Sequence, residues 1–195
     1  MIDSSSDAAT PGEIEVLGRQ VFCDDELGLA WSAVDDLPPA PVLARVNARN
    51  EVVLRTLSLV EEHDETQAEA AERAELYRLE AKLNLVLELL SELVMQHASP
   101  LPPRPLRFNS RGLCWLADDT VELDTLLLVE CFVLPAWPVP LKLYARVKRV
   151  EPADGNGRYR ICASLEGLSE SAAIWLDKLV FRRHRRAIAQ RRTRG

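Results

Sequence analysis

Glycine and proline are missing from the middle of this chain: neither occurs between Pro41 and Pro100. Their absence excludes tight turns that need positive φ and the breaks that a proline ring forces. Residues 42–98 are dominated instead by Ala, Glu, Leu, Arg and Val, the composition of long helix. No run of apolar residues reaches the roughly 18 that a membrane-spanning helix needs, which argues against a span. The histidines His63, His97 and His184 are scattered, and none stands with a serine, a cysteine or paired carboxylates in a catalytic order. A Gly-rich phosphate loop, GxSxG and HExxH are all absent, so the chain does not read as an enzyme. Cys23, Cys114, Cys131 and Cys162 have neither CxxC spacing nor a nearby histidine, which argues against zinc or any other metal. They read as small buried hydrophobes in a reducing compartment. The start, Met1 to Asp7, lacks the basic and then apolar pattern of a signal peptide, and a cytoplasmic location is expected.

What is present is asymmetric charge. The net charge of −6 conceals acidic residues crowding the middle of the chain and arginines crowding its end, from Arg182 to Arg194. The balance argues against a nucleic-acid binder. The basic end reads as a solvated helix terminus that can meet acidic helices of a neighbouring subunit.

The glycine-free stretch would reach about 85 Å as one helix, far more than a small domain can cover. Its second half carries a heptad, with Leu76, Leu83 and Leu90 at position a and Leu79, Val86 and Leu93 at position d. Leu87, Leu89 and Val94 widen this face into flanking positions where a two-stranded coil would show charge. Such a face suits self-association, with a tetramer favoured over a trimer or dimer. The first half has its own seam, Leu43, Val46, Val53, Leu57 and Val60, with Asn50 at one core position. Thr66 and Glu69 can form a capping box after the acidic stretch from His63. Two helices are therefore expected, at about 42–62 and 66–98.

Residues 1–12 read as a disordered tail and 13–195 as one domain carrying the helical insertion at about 42–98. Short apolar segments between Glu13 and Val34 suggest one or two strands, and Ser99 to Pro105 a stiff extended connector. Leu113 to Ala117 can be a strand, and Leu126 to Leu134 a strand buried on both sides. Val139, Leu141, Leu143, Ala145 and Val147 alternate with Lys142, Tyr144, Arg146 and Lys148, and a glycine turn at Asp154 to Gly157 leads to a second alternating strand, Tyr159 to Leu165. A final helix starts near Ser169 and presents Ala172, Trp175, Leu176, Leu179 and Val180. The expected fold is α+β: a six-stranded antiparallel barrel, interrupted by two long helices and followed by a C-terminal helix.

The order Asn109-Ser110-Arg111-Gly112-Leu113, an apolar strand ending at Leu134-Pro135, Leu141 to Val147, a glycine turn, Tyr159 to Leu165, and a helix with Ile174, Trp175, Leu176 and Leu179 resembles the PilZ domain. The resemblance covers about residues 105–190, with a strand near 13–22. It implies a β-barrel with a C-terminal helix, and cyclic di-GMP as the ligand of many members. Typical binding members carry RxxxR before the barrel and [DN]xSxxG on an early strand turn. There the guanidinium forks pair with phosphates and guanine edges, and Ser and Gly admit the ligand closely.

This chain departs from both motifs. Arg19 has Cys23 at the fourth place after it, and Arg45 and Arg49 spell RxxxR only on the inserted helix. Asn109, Ser110 and Gly112 are compressed by one residue, with Phe108 in the acid or amide place. An ordinary β-turn is the other reading of these residues. Each lost charge-assisted hydrogen bond is worth about 1.5–3 kcal/mol. The resemblance therefore implies weak or absent cyclic di-GMP binding at a degenerate set, Arg19, Asn109, Ser110 and Gly112, and no other cofactor. It also implies kinship with atypical PilZ proteins of plant-pathogenic proteobacteria, acting in virulence or motility through an unknown protein partner. A coiled-coil scaffold with no nucleotide link is the alternative.

Overall fold

The computed structural model describes residues 9–63, 101–133, 139–153 and 157–193, together with Leu83 and Val86. Its strands are β1 (Cys23–Val34), β2 (Pro103–Phe108), β3 (Gly112–Ala117), β4 (Leu126–Phe132), β5 (Leu141–Pro152) and β6 (Tyr159–Glu166). They pair antiparallel and close into a barrel in the order β1-β2-β3-β6-β5-β4. Closure removes the edges on which strands of other chains could add. Because β1 precedes the helical stretch and β2 follows it, the helices interrupt a single barrel.

Period-two patterning builds the interior. Leu141, Leu143, Ala145 and Val147 of β5 face inward, opposite Leu127, Val129 and Cys131 of β4 and Ile161 and Ala163 of β6. On β4 the alternate residues Leu128, Glu130 and Phe132 are only half-buried, so the apolar run has one covered face where two were expected. The expected β5–β6 hairpin forms, with a register shift between Val147 and Arg149, although its turn residues 154–156 lie outside the described residues.

Two helices close one flank of the barrel: α2 (Ala40–His63) and α3 (Glu170–Thr193). Val53, Leu54 and Leu57 of α2, with Leu176, Leu179 and Val180 of α3, join the barrel interior in one continuous core. Ser169 caps α3, its hydroxyl accepting from the Ala172 N–H at 3.2 Å. The Asn50 amide donates to the Lys142 carbonyl at 2.8 Å and accepts from the Lys142 N–H at 3.0 Å, so this position of the first seam fastens α2 to β5. Asn47 likewise bridges to the Gly167 carbonyl and the Ser169 N–H. The seam of the first half thus serves its own barrel. The arginine-rich end is also partly engaged within the chain: Arg182 donates to the Ser58 carbonyl, and Arg183 pairs with Asp25 and donates to the Val133 carbonyl.

The second expected helix, 66–98, lies outside the described residues except at two positions. Leu83 and Val86 are helical and exposed, at 60% and 50%. Leu76, Leu79, Leu90 and Leu93 are not among the described residues. Among the described residues no helix is long and apolar enough to cross a membrane.

Three further expectations are corrected. The strand proposed near 13–22 is a helix, α1 (Pro11–Leu17), which also takes up the last residues of the stretch read as a tail. Thr10 and Glu13 form a capping box, Pro11 opens the helix, and Gly18 ends it at φ +69°. The stretch read as a connector runs into the first half of β2. Pro103 and Pro105 occupy its first half, opposite Gly28 and Glu26 of β1, whereas pairing with β3 begins only at Leu106. Proline has no amide to donate and is tolerated where a strand has a free flank. Finally, Cys114 and Cys162, directly opposed on β3 and β6, are joined in a disulfide, whereas Cys23 and Cys131 are free and buried as expected.

Candidate functional site

The turn between β2 and β3 is where the expected ligand residues meet. Asn109 is fully buried. Its Oδ1 accepts from the Arg111 and Gly112 N–H groups at 2.9 and 3.3 Å, closing an Asx turn. Its Nδ2 donates to the Leu17 carbonyl at 2.9 Å and to the Val21 carbonyl at 3.5 Å. One side chain thus shapes the turn and staples the segment after α1 across it. Arg19 lies in that stapled segment, exposed to solvent. The structure therefore brings all four expected residues to one end of β3, but Asn109 has no hydrogen-bonding capacity left for a ligand.

Gly112 has a steric reason of its own. A Cβ there would stand 2.4 Å from the Val16 side chain and 2.6 Å from the Ala163 carbonyl oxygen. Contacts under 3 Å with a backbone atom force the backbone to move, so glycine is what lets α1 lie flat on β3 and β6. Val16, Leu17 and Phe22 cover the Cys114–Cys162 pair on this face. The ring of Phe22 in turn lies under the Arg107 guanidinium at 4.4 Å.

Arg107 is the residue that reading the sequence missed. It projects from β2 with only 10% of its side chain exposed and donates to Glu13 of α1 at 2.9 Å and to Asp24 of β1 at 2.6 and 3.2 Å. Burial alone would lower the pKa of this guanidinium, but the hydrogen bonds and charges of Asp24 and Glu13 outweigh it and hold it above its ordinary value. The only signal in the sequence was the capping glutamate, whose second acceptor role depends on tertiary contact. Glu13 also lies 3.6 Å from Arg160 of β6. Outside this network, Arg149 pairs with Glu15 and Glu151, each at 2.7 Å, which ties α1 to β5.

Beside the turn lies an open cavity of about 480 Å³, lined by Glu15, Val16, Ser110, Arg111, Lys148, Ser164 and Leu165. Arg111 was within the quoted motif but not singled out. Its guanidinium lies alongside Gly18, where an added Cβ would be 3.5 Å away. Lys148 is paired with Asp124 at 3.0 Å. Two hydroxyls and two cations can receive an anionic group. They include no nucleophile with a base in hydrogen-bond reach.

A family model described as "Atypical PilZ domain, cyclic di-GMP receptor" matches residues 54–193. A solved structure from Xanthomonas campestris is similar over 91% of this chain and 95% of that one, with a TM-score of 0.74 and 25% identity. It is described as a pathogenic protein with a new tetrameric PilZ domain self-assembled via an unusual helical bundle. No curated protein matches this chain.

Proposed function

The chain belongs to the atypical PilZ domain family, and on that premise we propose that it is a non-enzymatic regulatory adaptor of cyclic di-GMP signalling, acting on partner proteins as a self-assembled oligomer. In this reading it binds cyclic di-GMP weakly or not at all through Arg19, Ser110 and Arg111. The supporting observation is the turn itself. Asn109 is consumed by four structural hydrogen bonds and Gly112 is covered by α1, so two of the residues a ligand would need hold the barrel together instead.

Assembly as a tetramer rests on the heptad from Leu76 to Leu93 and on the tetrameric helical bundle of the Xanthomonas campestris relative. Leu83 and Val86, three residues apart on a helix and exposed, are consistent with a seam left for other copies. A cytoplasmic location and a role in virulence or motility belong to the same reading.

Two measurements test it. Isothermal titration with cyclic di-GMP is expected to give no micromolar binding, and micromolar affinity would overturn the weak-binding reading. Sedimentation equilibrium is expected to give a tetramer that L83E/V86E dissociates. A stable wild-type monomer would overturn the assembly, and a double variant of unchanged mass would place the seam elsewhere.

A further inference from the structure

A second cavity, of about 320 Å³, opens between α2 and β5, lined by Val42, Arg45, Val46, Arg49, Asn50 and Lys142. It shares no lining residue with the cavity at the β2–β3 turn. Arg45 and Arg49 are exposed and one turn apart on the same helix face. Most arginines of the barrel body are matched to carboxylates: Arg104 to Asp118, Arg107 to Glu13 and Asp24, Arg146 to Glu166, Arg149 to Glu15 and Glu151, Arg183 to Asp25. Further along α2, Arg55 lies 4.0 Å from Glu51 and over the Trp175 ring. Among the described residues Arg45 and Arg49 have no such partner. Two like charges at this spacing repel by a few tenths of a kcal/mol. An anion placed between the two guanidinium groups relieves that repulsion.

The floor of the cavity is rigid. The two-way bond between the buried Asn50 amide and the Lys142 backbone fixes where the lysine leaves β5. Lys142 lines the same cavity, and its ammonium pairs with Glu130 at 2.8 Å.

We infer that this cavity is a second anion site, taking the phosphate group of a small ligand between the forks of Arg45 and Arg49 with Lys142 at its edge. Two planar forks and one ammonium match a phosphate with several accepting oxygens better than a single carboxylate. A free phosphate and the phosphodiester of a nucleotide share this chemistry, so both are used as probes.

The full chain is titrated calorimetrically at low salt with inorganic pyrophosphate and, separately, with cyclic di-GMP. At least one is expected to bind saturably, to weaken as salt rises, and to lose about tenfold or more in affinity in R45Q/R49Q, whose melting temperature stays that of wild type. R104Q, whose arginine lines neither cavity, is expected to leave this binding unchanged. Dependence on pyrophosphate alone assigns a free-phosphate source, and on cyclic di-GMP alone a nucleotide source. The inference is overturned if neither probe binds at millimolar concentration, or if R45Q/R49Q binds as wild type. It is equally overturned if binding follows S110A/R111Q, at the other cavity, or if R45Q/R49Q changes only the oligomer mass, which would assign the arginines to another copy's carboxylates.

Discussion

Replacing Arg107 by methionine removes the charge that joins α1, β1 and β2. Glu13 is 5% exposed and would be left as a buried carboxylate, and breaking a buried pair in this way costs about 3–5 kcal/mol. The Asp24 side chain is 46% exposed, so its contact with Arg107 adds less than about 1 kcal/mol. Two groups soften the loss: the Thr10 N–H still donates to Glu13 at 2.7 Å, and Arg160 stands 3.6 Å away. The lower end of the range, about 3 kcal/mol, is therefore expected for R107M. Detachment of α1 sets a ceiling, since its main apolar anchors are Val16 and Leu17, each worth about 1.5–3 kcal/mol. Urea unfolding followed by circular dichroism, at one protein concentration because assembly couples to stability, gives the value for R107M, E13Q and the double variant. A coupling energy of about 2 kcal/mol is expected from the cycle. A loss below about 1 kcal/mol for R107M, or a coupling within error of zero, would refute the assignment of Arg107 as the fastener of α1.

Gly112→Ala should cost about 1–3 kcal/mol by overpacking against Val16 and the Ala163 carbonyl, and an unchanged urea midpoint would show that α1 does not press on this position. Asn109→Ala removes the staple and should increase proteolytic cleavage between Gly18 and Phe22, read by mass spectrometry, by an amount N109D does not restore. Burial pushes the Cys131 thiol up to about 12 from 9.0, so its contribution to stability is complete below pH 9 and is lost as the pH rises towards 12. Comparing C131A with wild type across that interval should show a shallower decline for the variant, and native Cys131 should resist alkylation at pH 8.5. Reduction of the Cys114–Cys162 bond, which spans 48 residues, should lower stability by up to about 4 kcal/mol through the freer unfolded chain, measured as the difference in urea midpoint with and without reductant.

How far the sequence could be read varied with the kind of signal. Strands β3 to β6 and helices α2 and α3 emerged from periodicity within a few residues, because each places one face on the core. Both misread segments are short and lie next to prolines. In Pro11–Leu17 the run Ile14-Glu15-Val16 imitates a strand, and the capping box from Thr10 to Glu13 that starts the helix was not read. In β2 the prolines mask a strand whose missing amides cost nothing where only β1 pairs with it. At the candidate site, the motif residues were legible from their order along the chain. Arg107 was not, since a single arginine in an alternating segment has no local mark of burial.

By itself, then, the sequence determined the barrel class, the helical interruption and the end of β3 where the expected ligand residues gather. Periodicity and turn residues are local properties and survive in one dimension. Only the tertiary structure decided what those residues do. Asn109 became a staple because two carbonyls of the segment after α1 came within reach, and Gly112 became a packing site because Val16 lies on it. Arg45 and Arg49 line a cavity with Lys142 because the Asn50 amide fastens α2 to β5. Each of these roles depends on distances between residues far apart in the chain, and such distances exist only once the barrel has closed.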